Sequence, residues 1–251
     1  MKAVIMAGGR GTRLSPLTRR IPKPMVPLLD RPVMEYMVDL LHRSGIREVG
    51  VTLGHLPDAI RMYFGDGSRF LVRMTYAIEK NALGTAGGVK NLQDFLNEPF
   101  VVVSGDGVTD IDLQEAMKVH KQNGALVTII LTQVENPSGF GIVETSDSGW
   151  VTKFIEKPSN WDSNHVYYAN TGIYIMEPEV FSFIPSDRPY DFGHELFPKL
   201  VQLGMPVYGH HASGYWSDIG TLQQYYQTQL DLLSGKIHLP LSEDVLLVSA
   251  R

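Results

Sequence analysis

Apolar positions along the chain fall into short runs whose period alternates between helical and strand spacing. Residues 2–6 read as a first strand. Val33, Met37, Leu40 and Leu41 are spaced as one face of a helix that Gly45 would end. Strand is then predicted over 47–53, a short helix over 59–64, and a third strand over 72–78 in alternating, β-branched residues. Helix is predicted over 84–96, although Gly87 and Gly88 lower its propensity near the start. The continuous run FVVVS, 100–104, suits a strand buried on both faces of a parallel sheet, and helix over 111–123 and strand over 125–132 follow. Such alternation predicts an α/β fold: a Rossmann-like, mostly parallel mixed sheet with right-handed crossovers and helices on both faces.

The rhythm then changes. Residues 140–145 and 150–155 flank Ser146-Asp147-Ser148-Gly149 and read as a hairpin; strands over 168–176 and 206–211 and helices over 192–203 and 221–233 complete the pattern. With no Pro-, Gly- or Ser-rich linker and no internal repeat, 1–235 is read as one catalytic domain whose β-rich second half forms the substrate wall. Residues 236–251, ending in the apolar VLLVSAR, are read as a C-terminal tail.

Composition narrows the function class. A chain of 251 residues with 43% hydrophobic content is an ordinary globular length, and no run of 18 apolar residues or basic-then-apolar leader is present. Zero cysteines exclude disulfides and thiolate metal sites, in keeping with a cytoplasmic, unprocessed protein. A net charge of -5 argues against nucleic acid as a partner, and no membrane partner is expected. Against that background the stretch AGGRGTRLSPLTRRIPKPMVP, 7–27, reverses the sign of charge with Arg10, Arg13, Arg19, Arg20 and Lys23. Its glycines, Gly8, Gly9 and Gly11, let backbone N–H groups approach a polyphosphate. The loop is neither a Walker A motif, because Thr12 and Arg13 follow Gly11, nor a dinucleotide fingerprint, because Leu14 stands where a third glycine would.

With PKP (Pro22, Lys23, Pro24) closing it, the stretch resembles the signature of the sugar-1-phosphate nucleotidyltransferases, and most closely their mannose-1-phosphate guanylyltransferase subgroup. The resemblance covers about 1–235. It implies attack of a sugar-1-phosphate on the α-phosphorus of a nucleoside triphosphate, with release of pyrophosphate. Ala7, Gly8, Gly9, Gly11 and Thr12 would cradle the triphosphate, with Arg13 and Lys23 as the catalytic cations. Asp106 in SGDGVTD and Asp218 in YWSDIG would hold Mg2+, a hard cation that takes carboxylates beside phosphate oxygens. Gly107 departs from the aliphatic residue usual after the aspartate. Gly141 in FGIVE, Glu156 and Lys157 in EKP, and Asn170 and Thr171 in ANTGIY would receive the sugar phosphate. Glu79, Gly84 and Thr85 in EKNALGTAGG would face the nucleotide. An ionised carboxylate at Glu79 can accept the paired N–H donors of guanine, which favours GTP and, with the subgroup, mannose-1-phosphate.

Plainer roles compete with these. Asp110 and Asp112 read as helix caps, Glu79 could cap the helix after it, Asp218 could simply make a turn, and His210-His211 reads as a surface or packing pair. A UTP- or dTTP-dependent enzyme acting on glucose-1-phosphate is one rival, and a non-catalytic regulatory paralogue is another; the latter would be expected to lose Arg13, Lys23, Asp106 or Asp218, all of which stand. Homo-oligomerisation is left open. Relatives often continue into a left-handed β-helix, so the tail reads as the start of one cut short.

Overall fold

The computed structural model of the chain describes residues 1–186 and 188–240. Strands β1 (Lys2–Ala7), β2 (Glu48–Leu53), β3 (Arg73–Ile78) and β4 (Phe100–Ser104) are parallel, in the order β4-β1-β2-β3. Between them run helices α1 (Val33–Arg43), α2 (Pro57–Phe64) and α3 (Gly84–Lys90). Every side chain of 100–103 is fully buried, as the unbroken apolar run demands. Two apolar clusters cover the opposite faces of this sheet: Ala3, Ile5, Val101 and Val103 point into one, and Val4, Phe100 and Val102 into the other.

The second half reverses direction. Helix α4 (Leu113–Asn123) precedes β5 (Val127–Val134), the hairpin β6 (Gly141–Thr145) and β7 (Val151–Glu156), and the long strand β8 (Tyr167–Met176). Strand β8 runs antiparallel to β4, β5 and β6, so it joins the hairpin to the parallel half, and β9 (Val207–His211) flanks β5 in parallel. The sheet is therefore mixed, as expected, with helices on both faces. Helices α5 (Phe197–Gln202) and α6 (Leu222–Leu233) complete the layers.

Several boundaries differ from the periodic reading. Helix α3 stops at Lys90 and turns succeed it, rather than helix to residue 96. The helix predicted over 192–203 begins as a π turn, Phe192–Leu196, before α5. Asp112 caps α4 by accepting from Gln114 N and Glu115 N. Asp110 caps nothing: its carboxylate accepts from Tyr215 N (2.6 Å) and His238 N (2.9 Å), tying the late chain to the sheet. The His210-His211 pair is a packing pair, with His211 edge-on to Tyr168 at 4.1 Å. Of the tail, 236–240 packs Ile237 and Leu239 beside Leu28 and Tyr36 without forming a strand, and the VLLVSAR run lies outside the described residues. No helix among the described residues is long and apolar enough to cross a membrane.

Candidate active site

Parallel register aligns the strand ends. Met6 pairs with Ser104, Ala7 with Leu53, and Leu53 with Ile78, so the glycine loop, the segment after Ile78 and Gly105-Asp106 share one edge. Ligands bind beyond the carboxyl ends of such strands. At Gly11, φ is +60° and a Cβ would lie 2.7 Å from Lys23 Cβ, so only glycine lets the lysine stem pack here. Lys23 begins a short 3-10 turn between its prolines, with Met25 N donating to Pro22 O (2.8 Å) and Val26 N to Lys23 O (3.1 Å). That fixes its aim.

Lys23 is only 8% exposed, and its Nζ donates to Asp106 Oδ2 (2.6 Å) and to Asp218 O (2.9 Å). The sequence candidates Lys23, Asp106 and Asp218 therefore meet, although 195 positions separate the first from the last. Ser104 Oγ donates to the other Asp106 oxygen. Asp218 makes its turn as well, accepting from Gly220 N (3.1 Å) through Oδ1, and Ile219 beside it has φ +43°, a strained value for a β-branched residue. Gly9, Gly11, Thr12, Arg13, Lys23 and Asp106 line a cleft of about 200 Å³, and Arg13 and Asp218 also line its neighbour. Arg13 is exposed and has no hydrogen-bond or ion-pair partner among the described residues. The cleft thus presents the Arg13 guanidinium beside a fixed ammonium and the Asp106 carboxylate, with Asp218 in the adjoining cleft. At Gly107 a Cβ would meet nothing closer than 3.6 Å, so no close contact demands glycine there.

Beyond β3, Glu79 Oε2 accepts from Leu83 N (3.1 Å), just ahead of α3. Its other oxygen lies 2.4 Å from where a Cβ on Gly88 would stand and 3.6 Å from one on Gly8. Glu79 therefore both braces the helix start and lies against the glycine loop. Burial pushes its carboxyl up from the usual range, partly offset by the Leu83 N–H. Gly84 has φ +75°, and a Cβ there would stand 2.5 Å from Tyr190 O. Thr85, expected to face the nucleotide, turns its hydroxyl to Asp191 Oδ2 (2.7 Å) instead. The hydroxyl is engaged within the protein.

On the sugar side, Glu156 Oε1 pairs with Lys157 Nζ (2.7 Å), and Lys157 takes φ +46° with its N–H on Phe140 O (3.0 Å). The missing side chain of Gly141 makes room for Glu156 and Phe154, whose atoms would each lie 2.7 Å from a Cβ; the opening expected for a hexose is filled there. Asn170 bridges Gly172 N (2.9 Å) and Tyr174 Oη (3.0 Å). Thr171 is buried, its hydroxyl donating to Ile130 O (2.8 Å), so it holds the register break of β8 against β5 and offers nothing to a sugar hydroxyl. Sequence reasoning passed over three residues. Ser104 closes a predicted strand and could have been noticed there; Asp191 and His194 carry no local signal, because only the fold brings them to Thr85 and Glu156.

The nucleotidyl transferase family model matches residues 2–235. A Synechocystis UTP--glucose-1-phosphate uridylyltransferase is 44% identical over 94% of the chain and 64% of its own length. A Mycobacterium tuberculosis mannose-1-phosphate guanylyltransferase is 34% identical over 93% of the chain and 65% of its own length. The chain therefore spans just under two thirds of these curated relatives. A solved Bacillus anthracis structure described as a glucose-1-phosphate thymidylyltransferase, in complex with sucrose, superposes with a TM-score of 0.85, 26% identity and 98% coverage of both chains. Match, relatives and shared fold agree with a glycine loop and Lys23 at the strand ends, and the chain belongs to the nucleotidyl transferase family.

Proposed function

We propose that the chain transfers a nucleotidyl group from a nucleoside triphosphate to a sugar-1-phosphate and releases pyrophosphate. The observation that carries this reading is the meeting of Lys23, Asp106 and Asp218 beneath a glycine loop that presents Arg13 to the same cleft. A phosphate oxygen of the sugar attacks the α-phosphorus, and the bond from that phosphorus to the β-phosphate oxygen breaks. No protein nucleophile is needed, only in-line placement and neutralised charge. The loop N–H groups would cradle the triphosphate and Arg13 would hold the departing pyrophosphate in its planar fork. Lys23 stands ready beside the reacting phosphates.

Magnesium fits the donor set. Asp106 already holds an ammonium at 2.6 Å, Asp218 Oδ2 has no hydrogen-bond partner among the described residues, and two carboxylates are the usual protein share of a nucleotide-bound magnesium site. Asp106 and Asp218 would hold the ion, which would supply neutralisation of phosphate charge. No group of three or more His, Asp or Glu suited to a metal occurs among the described residues, so the remaining ligands would be phosphate and water oxygens.

Glu156 and Lys157 would take the sugar hydroxyls and the sugar phosphate. Lys157→Ala should raise KM for the sugar phosphate about 10- to 100-fold, the loss of one charge-assisted hydrogen bond, and change KM for the nucleotide far less. Equal changes in both would reassign Lys157.

Glu79 favours GTP with mannose-1-phosphate while it is ionised. A second reading, UTP with glucose-1-phosphate, is favoured by the 44% identity to the Synechocystis uridylyltransferase. Pyrophosphate release with each common triphosphate, each sugar phosphate and magnesium decides between them. The sign of the pH effect separates the causes. As pH is lowered toward the raised pKa, Glu79 takes up a proton, so the rate with GTP relative to UTP should fall; a constant ratio removes Glu79 from base selection. Tight binding of a nucleotide sugar without any pyrophosphate release would make the chain a binding module.

A further inference from the structure

Residues 83–87 on the nucleotide side and 190–194 on the sugar side are joined by an unbroken set of hydrogen bonds. Tyr190 N donates to Leu83 O (2.8 Å), and Tyr190 O accepts from both Ala86 N and Gly87 N (3.0 Å each). Thr85 Oγ1 donates to Asp191 Oδ2 (2.7 Å) and accepts from Phe192 N (2.9 Å). The other Asp191 oxygen accepts from Gly193 N (2.9 Å) and His194 N (3.0 Å). Asp191 thus grips α3 with one oxygen and the π turn with the other.

Contacts extend this link in both directions. Leu83 N is held by Glu79, whose second carboxylate oxygen lies against the glycine loop at Gly8. At the far end a Cβ on Gly193 would stand 2.7 Å from Glu156 Oε2, and His194 Nε2 lies 3.9 Å from Glu156 Oε1. Such spacing leaves no slack. The turn itself is wound wide, with Leu196 N donating to Asp191 O (3.0 Å), a winding that is rare and frequent at functional sites. Hydrogen-bond chains and packed contacts of this kind carry coupling between sites.

We infer that Thr85 and Asp191 are positioning residues that make occupancy of the two substrate sites interdependent. A nucleotide seated against 79–87 biases 190–194 and, through Gly193, the Glu156-Lys157 pair that receives the sugar phosphate. By linkage the sugar phosphate tightens the nucleotide equally. The inference rests on the function proposed above, and the experiment keeps the two apart.

Calorimetric titration measures the affinity for mannose-1-phosphate or glucose-1-phosphate, whichever supports turnover, in magnesium buffer. It is run with and without the α,β-methylene analogue of the triphosphate that supports turnover. In the wild type the analogue should tighten sugar-phosphate binding about 5- to 150-fold. Thr85→Val, which keeps the shape and removes the hydroxyl, should cut that enhancement below about 2-fold, and Thr85→Ser should restore it. A wild type without enhancement, or a Thr85→Val protein that keeps it, overturns the inference while leaving the proposed function standing. A wild type that releases no pyrophosphate with any substrate pair overturns that function first and the inference with it. Hydrogen exchange covers a poorly folding variant: the analogue alone should slow amide exchange across 190–196 in the wild type, and unchanged exchange there counts against the coupling.

Discussion

Arg13→Ala should lower turnover about 10²- to 10³-fold, the scale seen when one donor that meets developing charge is removed. KM for the nucleotide should move much less, since the leaving pyrophosphate gains charge only as its bond breaks. The structure supports a functional rather than a structural task for this residue. Its guanidinium is exposed, has no partner among the described residues and borders two adjoining clefts, so its removal unmakes no packing. Arg13→Lys should recover only part of the loss, because a point charge cannot reproduce a planar fork. Steady-state rates of pyrophosphate release give the answer, and wild-type turnover in Arg13→Ala would place the leaving group elsewhere.

The two aspartates should behave differently from one another. Asp106→Asn removes the charge that pairs with Lys23, whose side chain is 10% exposed while that of Asp106 is 26% exposed. It should therefore cost activity about 10²-fold or more and also about 1–2 kcal/mol of stability, the buried-pair penalty reduced for partial exposure. Asp218→Asn should cost comparable activity but little stability. Lys23 rests on the backbone carbonyl of Asp218, which the substitution leaves in place, and among the described residues the carboxylate itself accepts only Gly220 N. Both variants should need more magnesium to reach half-maximal rate. Thermal melts together with a magnesium titration of pyrophosphate release test all three statements. Wild-type rates and magnesium dependence in both variants would mean that the metal lies elsewhere; equal destabilisation would mean that the Lys23 contacts are not divided in this way.

Much of this site was legible in the chain itself. The glycine loop, Lys23 between its prolines, and Asp106 at the end of FVVVS announce themselves locally, because strand pattern and turn chemistry act over a few residues. The loop, Glu79 and Asp106 each follow a stretch that the periodicity predicts as strand, and the parallel register of β1, β2, β3 and β4 brings those ends to one edge. Element ends were less legible. Nothing in the periodicity around Leu96 or Phe192 shows that α3 ends early or that the later helix opens with a π turn, because helix ends are set by tertiary context more than by propensity.

Side-chain assignments among the expected ligand contacts depended most on the tertiary structure. Thr85, Gly141 and Thr171 stand in motifs that suggest ligand contact, yet Asp191, Phe154 with Glu156, and Ile130 occupy those groups. A residue's type and neighbours state which hydrogen bonds it can make. Which of them it makes is decided by whichever partner the fold delivers, and Asp191, 106 positions from Thr85, is beyond any local rule. By itself the sequence determined the phosphate loop, the parallel edge and the charges gathered there, all consequences of short-range conformational preference. The tertiary structure alone decided that Lys23 joins Asp106 to Asp218 and that Asp191 joins α3 to the π turn, because a buried polar group must find its partner wherever in the chain that partner lies.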